Sequence, residues 1–165
     1  MKFVMAYSII TQNDILVVGK NAQVDFQTMP MKMGQLAREF MPRRHEIVGI
    51  VGTHSFSIQD YANKDFNKIT PQTTFDKWVA VEVENHNHVP EGMQPFILKG
   101  GDFLLVDYKG SLPDFPILWQ TILTDWLPNS KYELDNRPHF EKLPESYNPQ
   151  NAINEEQVWV PVRLN

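Results

Sequence analysis

The sequence predicts an α+β protein made of a strand-helix-strand-strand unit given twice. The copies are related by a pseudo-two-fold and share an antiparallel sheet, with two main helices and a cleft between the halves. Three observations carry this. Asp14-Ile15-Leu16-Val17-Val18 and Asp102-Phe103-Leu104-Leu105-Val106 share an Asp followed by four large apolar residues rich in strand formers. Pro30 to Pro42 and Pro116 to Pro128 are both intervals of twelve residues. Trp78-Val79 and Trp159-Val160 each begin a late, valine-rich strand.

Taken in order, Met1 to Ile10 has one cation and a short apolar run but no Ala-x-Ala-like cleavage site, so it reads as a first edge strand or a clone-start segment rather than a signal peptide. Ile15 to Val18 reads as a buried strand. Thr28-Met29-Pro30 supplies an N-cap residue, an apolar residue and a first-turn proline. Met29, Met33, Leu36 and Phe40 then mark one face of a helix that Pro42 stops. Trp78 to Glu84 alternates as a strand. His88 to Gly101 holds Pro90, Gly92, Pro95, Gly100 and Gly101 and joins half-repeats of about 14–88 and 101–164 inside a single domain, 1–165. The second copy repeats the order. Asp102 to Val106 is followed by Asp114-Phe115-Pro116 and a helix face at Phe115, Leu118 or Trp119, Ile122 and Trp126, stopped by Pro128. Arg137 to Leu143 and Trp159 to Leu164 are its last strands, and Pro161 argues for an edge strand or a bulge. Three strands and one helix cannot bury a sheet face alone, so the halves should pack as one body with a ligand groove between them.

Composition narrows the function classes. The chain has 165 residues, 15 Lys+Arg against 20 Asp+Glu and a net charge of −5, with no basic block, which argues against direct nucleic-acid binding. No apolar run reaches membrane-spanning length. Zero cysteines exclude a disulfide framework, a thiolate metal site and a cysteine nucleophile. His86-Asn87-His88 beside the turn-forming Val89-Pro90-Glu91-Gly92 reads as a solvated loop, so neither a metal nor a cofactor is expected. With no signal sequence evident, the expected location is cytoplasmic.

Strand parity selects candidate residues. Val79, Val81 and Val83 share the face that belongs on the helices; Trp78, Ala80, Glu82 and Glu84 share the other. In the second half, Phe140 and Lys142 share one face and His139, Glu141 and Leu143 the other. One reading makes the glutamates solvated strand residues. The sharper one makes the face opposite the helices concave and walled by rings such as Trp78 and Phe56, with carboxylates at its floor. Such a floor favours an apolar cation, and its binding should weaken as pH falls.

The stretches Trp126 to Tyr132, Arg137-Pro138-His139-Phe140-Glu141 and Val158 to Val162 resemble the carboxyl half of the GyrI-like (gyrase-inhibitor-like) effector-binding domains, which also occur fused to AraC-type and MerR-type regulators. Ala80-Val81-Glu82-Val83 and Gly101 to Val106 with Gly110 resemble the first half's strand and the start of the second half. The resemblance runs from about Asp14 to Arg163. It implies a duplicated fold with a cleft, Glu141 as the acidic group at its base and Glu82 as the second acidic position. Leu143 stands where the family commonly has an aromatic residue, and Ala80 where it often has glycine.

The favoured function is binding of a small lipophilic cation or drug-like effector by a stand-alone domain without a DNA-binding segment, using Glu141, Glu82, Trp78 and Phe56. Two alternatives are kept. One is a hydrolase of strained electrophilic molecules using Glu82 and Glu141 as a pair. The other is an interaction protein inhibiting a topoisomerase or a toxin, which would make a protein the partner.

Overall fold

A computed structural model describes residues 4–62, 65 and 68–165. In chain order the elements are β1 (Val4–Gln12), β2 (Ile15–Val24), α1 (Met29–Phe40), β3 (Ser55–Asp60), β4 (Phe75–Glu82), β5 (Gln94–Leu98), β6 (Gly101–Gly110), α2 (Phe115–Thr121), β7 (Tyr132–Leu134), β8 (His139–Leu143) and β9 (Asn154–Leu164). The strands form an antiparallel sheet in the order β1-β6-β9-β8-β3-β4-β2-β5, with β7 pairing β9 beside that path. The order of β6-β9-β8 mirrors that of β2-β4-β3, and the two triplets meet at the β8·β3 seam, where Ser57 pairs with Glu141. Among the described residues no helix is long and apolar enough to cross a membrane.

Two short connections dictate the shape of this sheet. Only Asn13 and Asp14 join β1 to β2, a reach of about 10 Å, yet the two strands stand six places apart in the sheet. A flat sheet would separate them by about 29 Å. The sheet therefore curls until its ends meet, and Lys99-Gly100 joins β5 to β6 across the same gap. Gly100 is the crossing point. A Cβ there would lie 2.4 Å from the Gln12 carbonyl oxygen, while its N–H donates to Asp14 Oδ1 at 2.7 Å.

Curling gives the sheet an inner face that is its own core. Phe56, Trp78, Phe103, Phe140 and Trp159 pack there with Ile15, Val17, Ile58, Ala80 and Leu98. The rings stack on one another: Phe56 on Phe140 at 5.5 Å, Phe140 on Trp159 at 5.2 Å and Trp78 on Phe96 at 4.8 Å. Both helices lie on the outer face. Leu36 and Phe40 of α1 cover Val18, Val79 and Val81; Leu118 of α2 and the following Ile122 cover Leu104, Val106, Val158 and Val160. Each such buried side chain is worth roughly 1.5–3 kcal/mol, which compensates for the weak caps at the helix starts.

The helix starts fall at Pro30 and Pro116, as the spacing requires, but two proline expectations need correction. Pro42 does not stop the first helix outright, because Met41–Glu46 continue as 3-10 turns with Pro42 in their first turn, where a missing N–H costs little. Pro161 lies in an inner strand, opposite Phe103 of β6. Its carbonyl accepts from the Asp135 N–H at 2.9 Å, so its nitrogen faces the same side, where the partner of β9 changes from β8 to β7. After α2 the chain widens into a π turn, Ile122–Trp126, and leaves the helix by Pro128.

Candidate functional site

α1 covers β2 and β4, and α2 covers β6 and β9, so the outer face of β3 and β8 lies in a trough between the helices. Strand register fills it with polar groups. Gln59 pairs with both Lys77 and His139, Ser57 with Glu141, Glu141 with Val158, and Tyr108 with Glu156. Cross-strand partners share a face, so all of these point outward with Val158 and Val79. The seven buried polar or charged side chains among the described residues are Ser57, Gln59, Lys77, His139, Glu141, Asn154 and Glu156, and all lie on this face. Elsewhere the core is apolar, so the polarity is localised.

Rings bridge the trough in a continuous series from one half to the other. Phe26 meets Phe75 at 5.0 Å, Phe75 meets Tyr61 at 4.9 Å, Tyr61 meets His139 edge-on at 5.4 Å, and His139 meets Trp119 at 5.5 Å. On the other side, the loop after β8 brings Tyr147 near enough to Glu156 and Glu141 for their charges to act on its hydroxyl. Asn154 pins this loop, donating to the Asn148 carbonyl at 2.9 Å and accepting from its N–H at 3.1 Å. An open cleft of about 1060 Å³ reaches the same rings, with Tyr61, His139, Leu123, Leu127, Tyr132 and Phe96 in its lining.

The electrostatics follow from burial. Glu141 is 7% exposed and its Oε2 has no hydrogen-bond partner among the described residues. Burial raises its pKa, against the partial relief of Lys77 and a hydrogen bond from Gln59. Lys77 is 1% exposed and donates to Ser57 Oγ at 2.6 Å. Its pKa is lowered by burial, with Glu141 and Glu156 opposing the shift. Glu156 is pushed up to about 8, first by burial and then by the charge of Glu141. Burial, assisted by Glu141, raises the Tyr61 hydroxyl; burial, assisted by both glutamates, takes Tyr147 to about 12. His139 falls to about 4, through burial and the charge of Arg137. The trough thus combines π faces, a carboxylate oxygen awaiting a partner, and a buried lysine.

The structure does not bring the four sequence-selected residues together. Glu141 lies in the outer trough. Trp78, 6% exposed, and Phe56, 1% exposed, lie in the inner core. Glu82, half-buried at the end of β4 opposite Val17, shares their side of the sheet. The expectation of a concave, ring-walled cleft opposite the helices is therefore corrected: curling buries those rings in one core, Phe56 against Phe140 and Trp78 against Phe96. The same parity separates Glu82 from Glu141 across the sheet, so they do not form an acid–base pair. Sequence reasoning missed Lys77, Glu156 and Tyr61. Lys77 was detectable, since alternation carried one residue back from Trp78 places a lysine on the valine face.

The sequence matches the family model described as the GyrI-like small molecule binding domain over residues 5–163. No curated protein matches it. Several solved structures share its fold. An integron cassette protein from the mobile metagenome of Vibrio cholerae is 15% identical with a TM-score of 0.67, over 98% of this chain and 99% of that one. SAV2435, solved bound to tetraphenylphosphonium, is 11% identical with a TM-score of 0.70, over 96% and 94%. The EcmrR C-terminal domain is 14% identical with a TM-score of 0.64, over 100% of both chains.

Proposed function

The chain belongs to the family of GyrI-like small molecule binding domains, and on that premise we propose that it binds a lipophilic organic cation in the outer trough, with Glu141 as the counter-charge. The observation that carries this is Glu141 Oε2, buried and, among the described residues, without a hydrogen-bond partner, beside a series of aromatic rings. An unpaired buried carboxylate costs several kcal/mol. A ligand that supplies positive charge and an apolar body removes this cost and gains cation–π contacts of roughly 0.5–2 kcal/mol each. Binding is favoured over hydrolysis because the glutamate pair that hydrolysis was expected to use, Glu82 with Glu141, is divided between the two faces. The ligand of SAV2435 recommends the first probe.

Glu141→Gln keeps the shape and removes the charge. It should weaken tetraphenylphosphonium at least tenfold, about 1.4 kcal/mol, while the melting temperature at pH 7 stays equal or rises. Titration calorimetry measures the first and thermal denaturation the second. Undiminished affinity in the variant would overturn the reading.

A further inference from the structure

Three buried ionisable groups share one patch of the outer face: Glu141 on β8, Glu156 on β9 and Lys77 on β4. Lys77 is committed to Ser57 at 2.6 Å, and among the described residues neither carboxylate forms a salt bridge with it. Fully ionised, the patch carries two negative charges and one positive, a net −1 held away from water. A protein interior does not hold an uncompensated charge cheaply, so the empty site takes up a proton instead. A bound cation supplies the same compensation.

We propose that the trough is a cation–proton exchange site, in which Lys77 is the resident cation that keeps one carboxylate ionised and Glu156 holds a proton that the arriving ligand displaces. This rests on the cation-binding reading above and adds to it two residues, a stoichiometry and a pH response. The balance is simple. The proton on the Glu156 carboxyl leaves to solvent, one organic cation enters, and the charge of the patch and its contents is unchanged.

The surroundings of Glu156 leave it the group that exchanges. Tyr108 faces it from β6 and Tyr147 from the loop after β8, and burial holds both hydroxyls at about 12. Tyr61 beside Glu141 is raised in the same direction. His139, on the strand of Glu141, is held neutral, with its pKa at about 4. Asp114 acts on Tyr108 rather than on the patch. The value of about 8 for Glu156 lies where a proton is present at neutral pH and is released readily.

Tetraphenylphosphonium tests this well because it has no titratable proton, so any proton that moves belongs to the protein. Calorimetry at pH 7 in two buffers of different ionisation enthalpy should report release of close to one proton per cation bound. Affinity should tighten at least tenfold between pH 6 and pH 9 and level off above that. Glu156→Gln should release no proton, and its affinity should stay, at every pH, near the wild-type value at pH 6. Lys77→Met, which removes the resident cation, should move the pH of tightening upward by a unit or more. Should the wild-type protein bind the cation and Glu141→Gln lose it, yet no proton be released and affinity stay flat with pH, the exchange is wrong and the binding site stands. Should Glu141→Gln bind undiminished, or the wild-type protein bind no cation, the binding reading itself falls and the exchange with it. The proton count needs only the wild-type chain, so a variant that misfolds does not decide the matter.

Discussion

His139 illustrates how a side chain that the ligand need not touch leaves its mark on stability. Its imidazole is buried against Tyr61 and Trp119 and is held to about 4, against an ordinary value of 6.5. A depressed pKa in the folded state means that the unfolded chain binds the proton more readily. Its stabilising contribution is therefore complete above pH 6.5 and lost as pH falls through 4. The difference amounts to about 3 kcal/mol. Urea denaturation at pH 7 and pH 4 should show a loss of this order in the wild-type protein and a clearly smaller one in His139→Gln; parallel losses in both would assign the acid sensitivity elsewhere. Residues of this kind are only half legible in a sequence. Alternation within β8 separates Glu141 from Phe140 correctly, but phasing β8 against β4 requires the pairing of both with β3, and that register appears only in three dimensions. For that reason alternation alone groups Glu141 with Trp78 and Phe56 about one cleft, whereas the register puts Glu141 on the outer face and the two rings in the inner core. Glu156 was readable in the same way as Lys77: Asn154, Glu156, Val158, Val160 and Val162 alternate along one face.

Among the elements, the helices and main strands were legible because periodicity and the preference of proline for a first helical turn are local. Prolines misled where their meaning depended on neighbours: Pro42 enters a 3-10 segment, and Pro161 uses a gap between two partner strands. The π turn at Ile122–Trp126 leaves no signature in the residues, although Leu123 within it and Leu127 just after it line the cleft. The β5–β6 connection makes a firm prediction. Gly100→Ala places a methyl carbon 2.4 Å from the Gln12 carbonyl oxygen and 2.7 Å from the Asn13 carbonyl carbon, both backbone atoms that cannot rotate away. The variant should lose about 2 kcal/mol or more in chemical denaturation, with the loss shared by β1 and β5 because both chain crossings must shift. Retained stability in Gly100→Ala would mean that the crossing is loose.

For the whole molecule, the repeated strand-helix-strand-strand order is visible in the sequence, but the curl is not, since it follows from two connections too short for a flat sheet. Curling turns one sheet face into the core and leaves the other to carry helices and the trough, so the location of the trough is a consequence of Asn13-Asp14 and Lys99-Gly100. The same connections exchange the leading strands: β1 precedes the first unit yet pairs with β6 of the second, and β5 precedes the second yet pairs with β2 of the first. Each unit therefore has its border hydrogen bonds completed by a strand belonging to the other's stretch of chain. Covalent continuity between the units is then dispensable while their company is not. A chain divided between Asn87 and His88 should yield two polypeptides that are unfolded apart and copurify as a folded pair when produced together. A fragment that folds alone, as judged by circular dichroism and a cooperative melt, would contradict this mutual dependence.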